Sequence, residues 1–125
     1  MYKEVNFKGS RLDFLLRNNY QKCLLEAKSV TLVHGGRALF PDAPTQRGTR
    51  QLKTLMEARR KGYEAGVIFT IQREDADLLE PNEEVDPHFS HALRQAANMG
   101  VEICAYKSKI KTDEITLAAE VKIRL

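Results

Sequence analysis

The chain has 125 residues, 42% hydrophobic and 30% charged, which suits one globular domain and excludes a disordered or collagen-like chain. Lysine and arginine number 20 against 17 aspartates and glutamates, a net charge of +3 that allows a nucleic-acid partner without requiring one. The longest apolar run, Gly66 to Ile71, is far short of the ~18 residues of a membrane helix, and Met-Tyr-Lys-Glu-Val-Asn at the N-terminus has no signal-peptide core, so no membrane partner is expected. Cys23 and Cys104 stand singly in apolar segments, neither a disulfide framework nor a metal knuckle, which fits a reducing cytoplasm.

A first strand is predicted from Gly9 to Leu16, followed by a polar turn, Arg17-Asn18-Asn19-Tyr20-Gln21-Lys22. A second strand runs from Cys23 to Val33, and Gly35-Gly36 turns the chain into a short third, Arg37 to Phe40; the three read as a β-meander. Helical spacing of Leu52, Leu55, Met56 and Arg59 predicts a helix from Thr45 or Thr49 to Lys61, stopped by Gly62. Gly66 to Gln72 reads as a central strand covered on both faces. The acidic stretch with Asp75, Asp77, Glu80, Glu83 and Glu84 reads as a solvated loop. Asp86-Pro87 supplies an N-cap and a first-turn proline for a second helix, with Phe89, Leu93, Ala96 and Ala97 on its apolar face and Gly100 at its end. Val101 to Tyr106 is a strand, and Ile115 to Leu125 alternates strictly, as a half-exposed edge strand would. The expected architecture is an α/β fold, a mixed central sheet flanked by helices in the order β-β-β-α-β-α-β-β.

The first hairpin is the most informative feature. Centred between Asn19 and Tyr20, it sets Leu12, Phe14 and Leu16 opposite Ala27, Leu25 and Cys23 on one apolar face. The other face holds Arg11 opposite Lys28, Asp13 opposite Glu26 and Leu15 opposite Leu24. Two carboxylates placed side by side repel. Either the diagonal neighbours Arg11 and Lys28 offset them, as in a solvated checkerboard of ion pairs, or a divalent cation does. With Mg²⁺ (or Mn²⁺) held by Asp13 and Glu26, Lys28 on the same face is placed to orient a water for phosphodiester hydrolysis.

Several strings taken in order, Ser10-Arg11-Leu12-Asp13-Phe14, Glu26-Ala27-Lys28-Ser29-Val30-Thr31-Leu32, Phe40 to Gly48, Gln72-Arg73, Asp86-Pro87-His88-Phe89 and Val101 to Tyr106, resemble the sugar fermentation stimulation protein family. The resemblance covers nearly the whole chain. It implies a DNA-binding domain with a restriction-endonuclease-like, PD-(D/E)xK nuclease core, in which Asp13 matches the metal-binding aspartate and Glu26 and Lys28 the acid and lysine of the (D/E)xK element. The family's OB-type N-terminal domain has no counterpart here, so residues 1–125 are expected to be a single nuclease-like domain. Many nucleases of this kind carry a further acid on a helix before the first strand, a place for which Glu4 is a poor substitute. At the helix start the family shows Arg-Gly-x-Lys-His-Leu, whereas this chain reads Arg47-Gly48-Thr49-Arg50-Gln51-Leu52, keeping the cation and losing the histidine.

Arg47, Thr49, Arg50 and Lys53 at that start, with Arg11 and the strand-end Gln72, form the expected nucleic-acid contact set, because a helix N-terminus offers free N–H groups to phosphate. His88 and His91, three apart, lack partners at zinc-ligand spacing, and no Walker or Rossmann glycine pattern is present. The first functional reading is a DNA-binding, nuclease-like domain using Mg²⁺. The alternatives are a catalytically silent DNA-binding or regulatory module linked to sugar metabolism, and a protein-interaction domain that pairs through its edge strand, with a homo-oligomer an open arrangement.

Overall fold

Both helices start and stop where their capping residues sit. In the computed structural model, which describes residues 2–7, 10–17, 22–111 and 114–125 and the side chains of residues 23–107 and 119–125, α1 spans Gln46–Arg60 and α2 spans Pro87–Asn98. Thr45 caps α1 by accepting from the Gly48 N–H at 2.9 Å, and Asp86 caps α2 by accepting from the Phe89 N–H at 3.0 Å. Each helix ends on a glycine in the left-handed region, Gly62 at φ 89° and Gly100 at φ 91°.

The strands are β1 (Tyr2–Phe7), β2 (Ser10–Arg17), β3 (Lys22–Val30), β4 (Val33–His34), β5 (Arg37–Phe40), β6 (Glu64–Ile71), β7 (Leu78–Pro81), β8 (Glu102–Lys111) and β9 (Glu114–Ile123). Among the described residues they form one sheet in the order β1-β2-β3-β6-β8-β9-β7-β5-β4. β3, β6 and β8 run parallel at its centre, with α1 and α2 in the two crossovers between them, while β1-β2, β2-β3 and β8-β9 pair antiparallel. The architecture is therefore a mixed α/β sheet with two helices.

The expected β2–β3 hairpin forms in the expected register, with Phe14 opposite Leu25, Leu15 opposite Leu24 and Leu16 opposite Cys23. Four expectations change. The meander does not continue, because β3 takes β6 as its second neighbour, and β4–β5 form a separate hairpin on the Gly35-Gly36 turn. The N-terminal segment, for which no element was expected, is strand β1. The acidic stretch contains β7, whose Leu79 is buried and whose neighbours β5 and β9 both come from distant segments. Lastly, β9 is an edge only in part: it pairs with β8 from Glu114 to Val121, and β7 joins its other side at Lys122 and Ile123. No helix among the described residues is long and apolar enough to cross a membrane.

The core lies between the sheet and the helices. Phe40 packs on Phe69 and Phe89 with ring centroids 5.4 and 5.2 Å apart, and Leu24, Val30, Val67, Ile71, Leu55 and Leu93 complete it. α1 and α2 come close at Gly48, where an added Cβ would stand 3.2 Å from the Phe89 ring and 3.0 Å from the Thr45 hydroxyl.

Candidate functional site

Alternation along β3 points Leu24, Glu26, Lys28 and Val30 to one face and Cys23, Leu25 and Ala27 to the other. The first face is the covered one. Leu24 and Val30 are 1% exposed and Glu26 is 3% exposed, whereas Cys23, Leu25 and Ala27 are half-buried. The charged residues of β3 thus look toward the helices, because α1 packs over the β3–β6 half of the sheet. A solvated checkerboard does not describe Glu26.

Lys28 Nζ lies 3.4 Å from Glu26 Oε1 and donates a hydrogen bond to Gln51 Oε1 on α1. Gln51 is 3% exposed. A carboxylate, an ammonium and an amide from two elements therefore meet at one buried point. Behind them, the Thr70 hydroxyl of β6 donates to the Lys28 carbonyl at 3.3 Å and fixes the strand backbone. The sequence singled out Gln51 only as standing where the family shows histidine, not as a site residue, although the signal is there: it shares the stripe of Gly48, Leu52 and Leu55, where a polar side chain must find a partner.

Asp13 and Arg11 belong to β2, and their side chains lie outside the described residues. The β2–β3 pairing runs from Arg17 opposite Lys22 to Phe14 opposite Leu25, and the expected Asp13–Glu26 pair lies just beyond these paired residues. Arg47, Arg50 and Lys53 are exposed on α1. Thr49 spends its hydroxyl on the Thr45 carbonyl at 3.3 Å. The N-terminus of α1 is already furnished: Thr45 Oγ1 takes the Gly48 N–H, and the Asp86 carboxylate accepts from the Thr45 N–H at 2.8 Å. What α1 offers to a phosphate is therefore its exposed cations more than its dipole. Gln72 is exposed past the end of β6, its N–H on the Val30 carbonyl at 2.9 Å, at the same carboxyl edge to which β3 leads.

Asp86 bridges the starts of both helices. Burial pushes its carboxyl up, but hydrogen bonds from the Thr45 and Phe89 N–H groups and the charge of His88 outweigh that, and its pKa falls below the ordinary carboxylate value. Cys23 and Cys104 line a shallow cavity of about 280 Å³ on the opposite sheet face, with Leu25, Ile68 and Tyr106. Burial first, then Glu64 and Glu102 beside Cys23 and Glu102 and Glu120 beside Cys104, pushes both thiols up, away from the reactive thiolate. Among the described residues no three histidine, cysteine, aspartate or glutamate side chains gather as a metal-binding group.

Residues 1–114 match the family described as "Sugar fermentation stimulation protein RE domain". A sugar fermentation stimulation protein homolog of Moorella thermoacetica is 53% identical over 123 residues, covering 98% of this chain and 53% of that protein. The homolog of Clostridium acetobutylicum is 47% identical over 124 residues, covering 98% of this chain and 54% of that one. The chain spans about half the length of the curated relatives it matches. A solved structure of Pyrococcus furiosus SfsA in complex with Ca²⁺ is 29% identical, superposes with a TM-score of 0.89, and covers 100% of this chain and 55% of that one.

Proposed function

The chain belongs to the sugar fermentation stimulation protein family, and from that premise we propose that it is a nuclease-like, DNA-binding domain that hydrolyses phosphodiesters with Mg²⁺ or Mn²⁺. The observation that carries this reading is Glu26: a carboxylate 3% exposed, with a lysine two residues along the same strand face and its Nζ 3.4 Å away. Glu26 forms an ion pair with the Lys28 ammonium, and Mg²⁺ takes carboxylate oxygens while keeping several of its own waters. Glu26 would supply one hard oxygen ligand, and Asp13, one residue before the Phe14–Leu25 pair on the neighbouring strand, is the proposed second. That the solved Pyrococcus furiosus relative is a Ca²⁺ complex is in keeping with an oxygen-ligated cation in such proteins.

When bound, the cation supplies a water of lowered pKa and neutralises charge on the phosphate. Lys28, held from α1, would orient an attacking water beside the scissile phosphate. Arg47, Arg50, Lys53 and Arg11 attract the nucleic-acid backbone without reading bases, and Gln72 stands at the strand edge where the backbone would pass. The test is titration of the protein with Mg²⁺ or Mn²⁺, parent against Glu26→Gln, read by melting temperature and by cleavage of a DNA duplex. The expected result is a cation-dependent rise in melting temperature by mass action and cation-dependent cleavage, both lost in Glu26→Gln. Cation binding or DNA binding without cleavage would select a silent DNA-binding module; absence of any cation effect would remove the metal reading altogether.

A further inference from the structure

Both helical crossovers step the same way along the sheet, from β3 to β6 and from β6 to β8, so α1 and α2 lie together on one face. Among the described residues no helix covers the other face of these three parallel strands, although parallel sheets are ordinarily covered on both sides. That face is not built for water. Leu25, Ala27, Ile68, Cys104 and Tyr106 form a half-buried, largely apolar strip across it, hollowed by the cavity of about 280 Å³. Acids stand around the strip: Glu64 and Glu102 at the starts of β6 and β8, and Glu120 opposite Tyr106 on β9, with Lys122 two residues further on. We propose that this face is a docking surface whose occupant is the half of the family's longer chains that this chain does not match, meeting it through an apolar surface that bears lysine or arginine. Two observations choose that occupant. The match accounts for 53% of the Moorella thermoacetica homolog and 54% of the Clostridium acetobutylicum one, so such proteins carry about as much chain again. The acidic rim favours a basic surface and disfavours a second copy of this chain, which would bring acid to acid.

The chain's two cysteines, Cys23 and Cys104, both line this face and report on it directly. The test is the rate at which N-ethylmaleimide labels each of them, read peptide by peptide by mass spectrometry. It compares the chain alone with a chimera in which residues 1–125 replace the matched half of the Moorella thermoacetica homolog. Both thiols should label in the chain alone and be slowed by about tenfold or more in the chimera, because a docked surface must open before reagent enters. Within the chimera, Ile68→Lys puts a charge into the strip and Glu102→Lys reverses the rim, and each should restore labelling. Glu102 is exposed, so its variant decides the matter if Ile68→Lys fails to fold. Hydroxyl-radical footprinting of the intact Moorella homolog serves if the chimera fails to fold. Its positions matching Leu25, Ile68 and Tyr106 should react about tenfold more slowly than those three residues do in this chain alone. Equal rates in the long and short proteins would overturn the proposal, as would protection that survives both substitutions or thiols that are unreactive in the monomeric chain. Protection in the chain alone that grows with protein concentration, with a dimer in sedimentation, would overturn it in favour of a second copy.

Discussion

At the residue scale, the site rests on division of labour between two side chains that touch. In the proposed reading Glu26 is the cation ligand and Lys28 the handler of water, so their substitutions should separate. Lys28→Ala should keep cation binding, seen as an undiminished metal-induced rise in melting temperature, and lose DNA cleavage by about 10²-fold or more, the usual contribution of a positioned proton-handling group. Equal loss of binding and cleavage would place Lys28 among the ion's supports instead. Asp86 has a different task. Its carboxylate, 7% exposed, accepts N–H groups from the starts of both helices, so Asp86→Ala should destabilise by about 2 kcal/mol, the upper range for a lost cap. Because its folded pKa lies below the ordinary 3.8, its contribution is fully present above that value and fades as pH falls through the folded pKa. Urea unfolding of parent and Asp86→Ala should therefore give a constant gap from pH 5 to 7, about 1–2 units above the carboxylate range, that narrows below about pH 4. A gap that widens in acid would refute the assignment.

At the element scale, what could be read from the sequence was whatever local chemistry specifies. Thr45 and Asp86-Pro87 announced the helix starts, Gly62 and Gly100 their ends, and the alternation on either side of Asn18-Asn19 set the β2–β3 register. What escaped depends on partners far along the chain. β7 has four residues with Glu80 and Pro81 among them, and it is a strand because β5 and β9 flank it. The same layer covers the end of β9, where β7 pairs with Lys122 and Ile123 despite the strand's edge-like pattern. Which face of β3 is covered depends on where α1 lands, so the hairpin register from Phe14 to Leu16 could be read correctly while Glu26 was still weighed as potentially solvated. Gln51 escaped for the same reason, since its partner Lys28 lies on another element. Glu80 ties β5, β7 and the end of β9 together, reaching Arg37 of β5 at 3.4 Å and Arg124 after β9 at 3.0 Å. Since both arginines are largely exposed, Glu80→Ala should cost about 1 kcal/mol, and 1 M salt should erase much of the difference. A salt-independent loss would mean that Glu80 acts through packing.

At the scale of the whole molecule, a net charge of +3 is too small to hold a polyanion by bulk attraction, so the placement of cations decides. α1 puts Arg47, Arg50 and Lys53 in solvent on the helix that also delivers Gln51 to Lys28, so the exposed cations and the acceptor for Lys28 share one helix while Glu26 lies on β3. Arg50 is the informative residue to remove: it is exposed, it has no part in the α1 cap, and its neighbour Gln51 is the one that turns inward. Each phosphate neutralised releases condensed counterions, so the logarithm of the DNA association constant should fall linearly with the logarithm of salt concentration, by about 0.9 per contact on duplex DNA. Arg50→Ala should lower that slope by about one unit and weaken binding equally for unrelated sequences, because a backbone contact carries no base information. Fluorescence anisotropy with two duplexes of different composition, over a range of salt, measures both quantities at once. An unchanged slope would move the nucleic-acid surface off α1, and a change confined to one duplex would turn Arg50 from a phosphate anchor into a reader of bases.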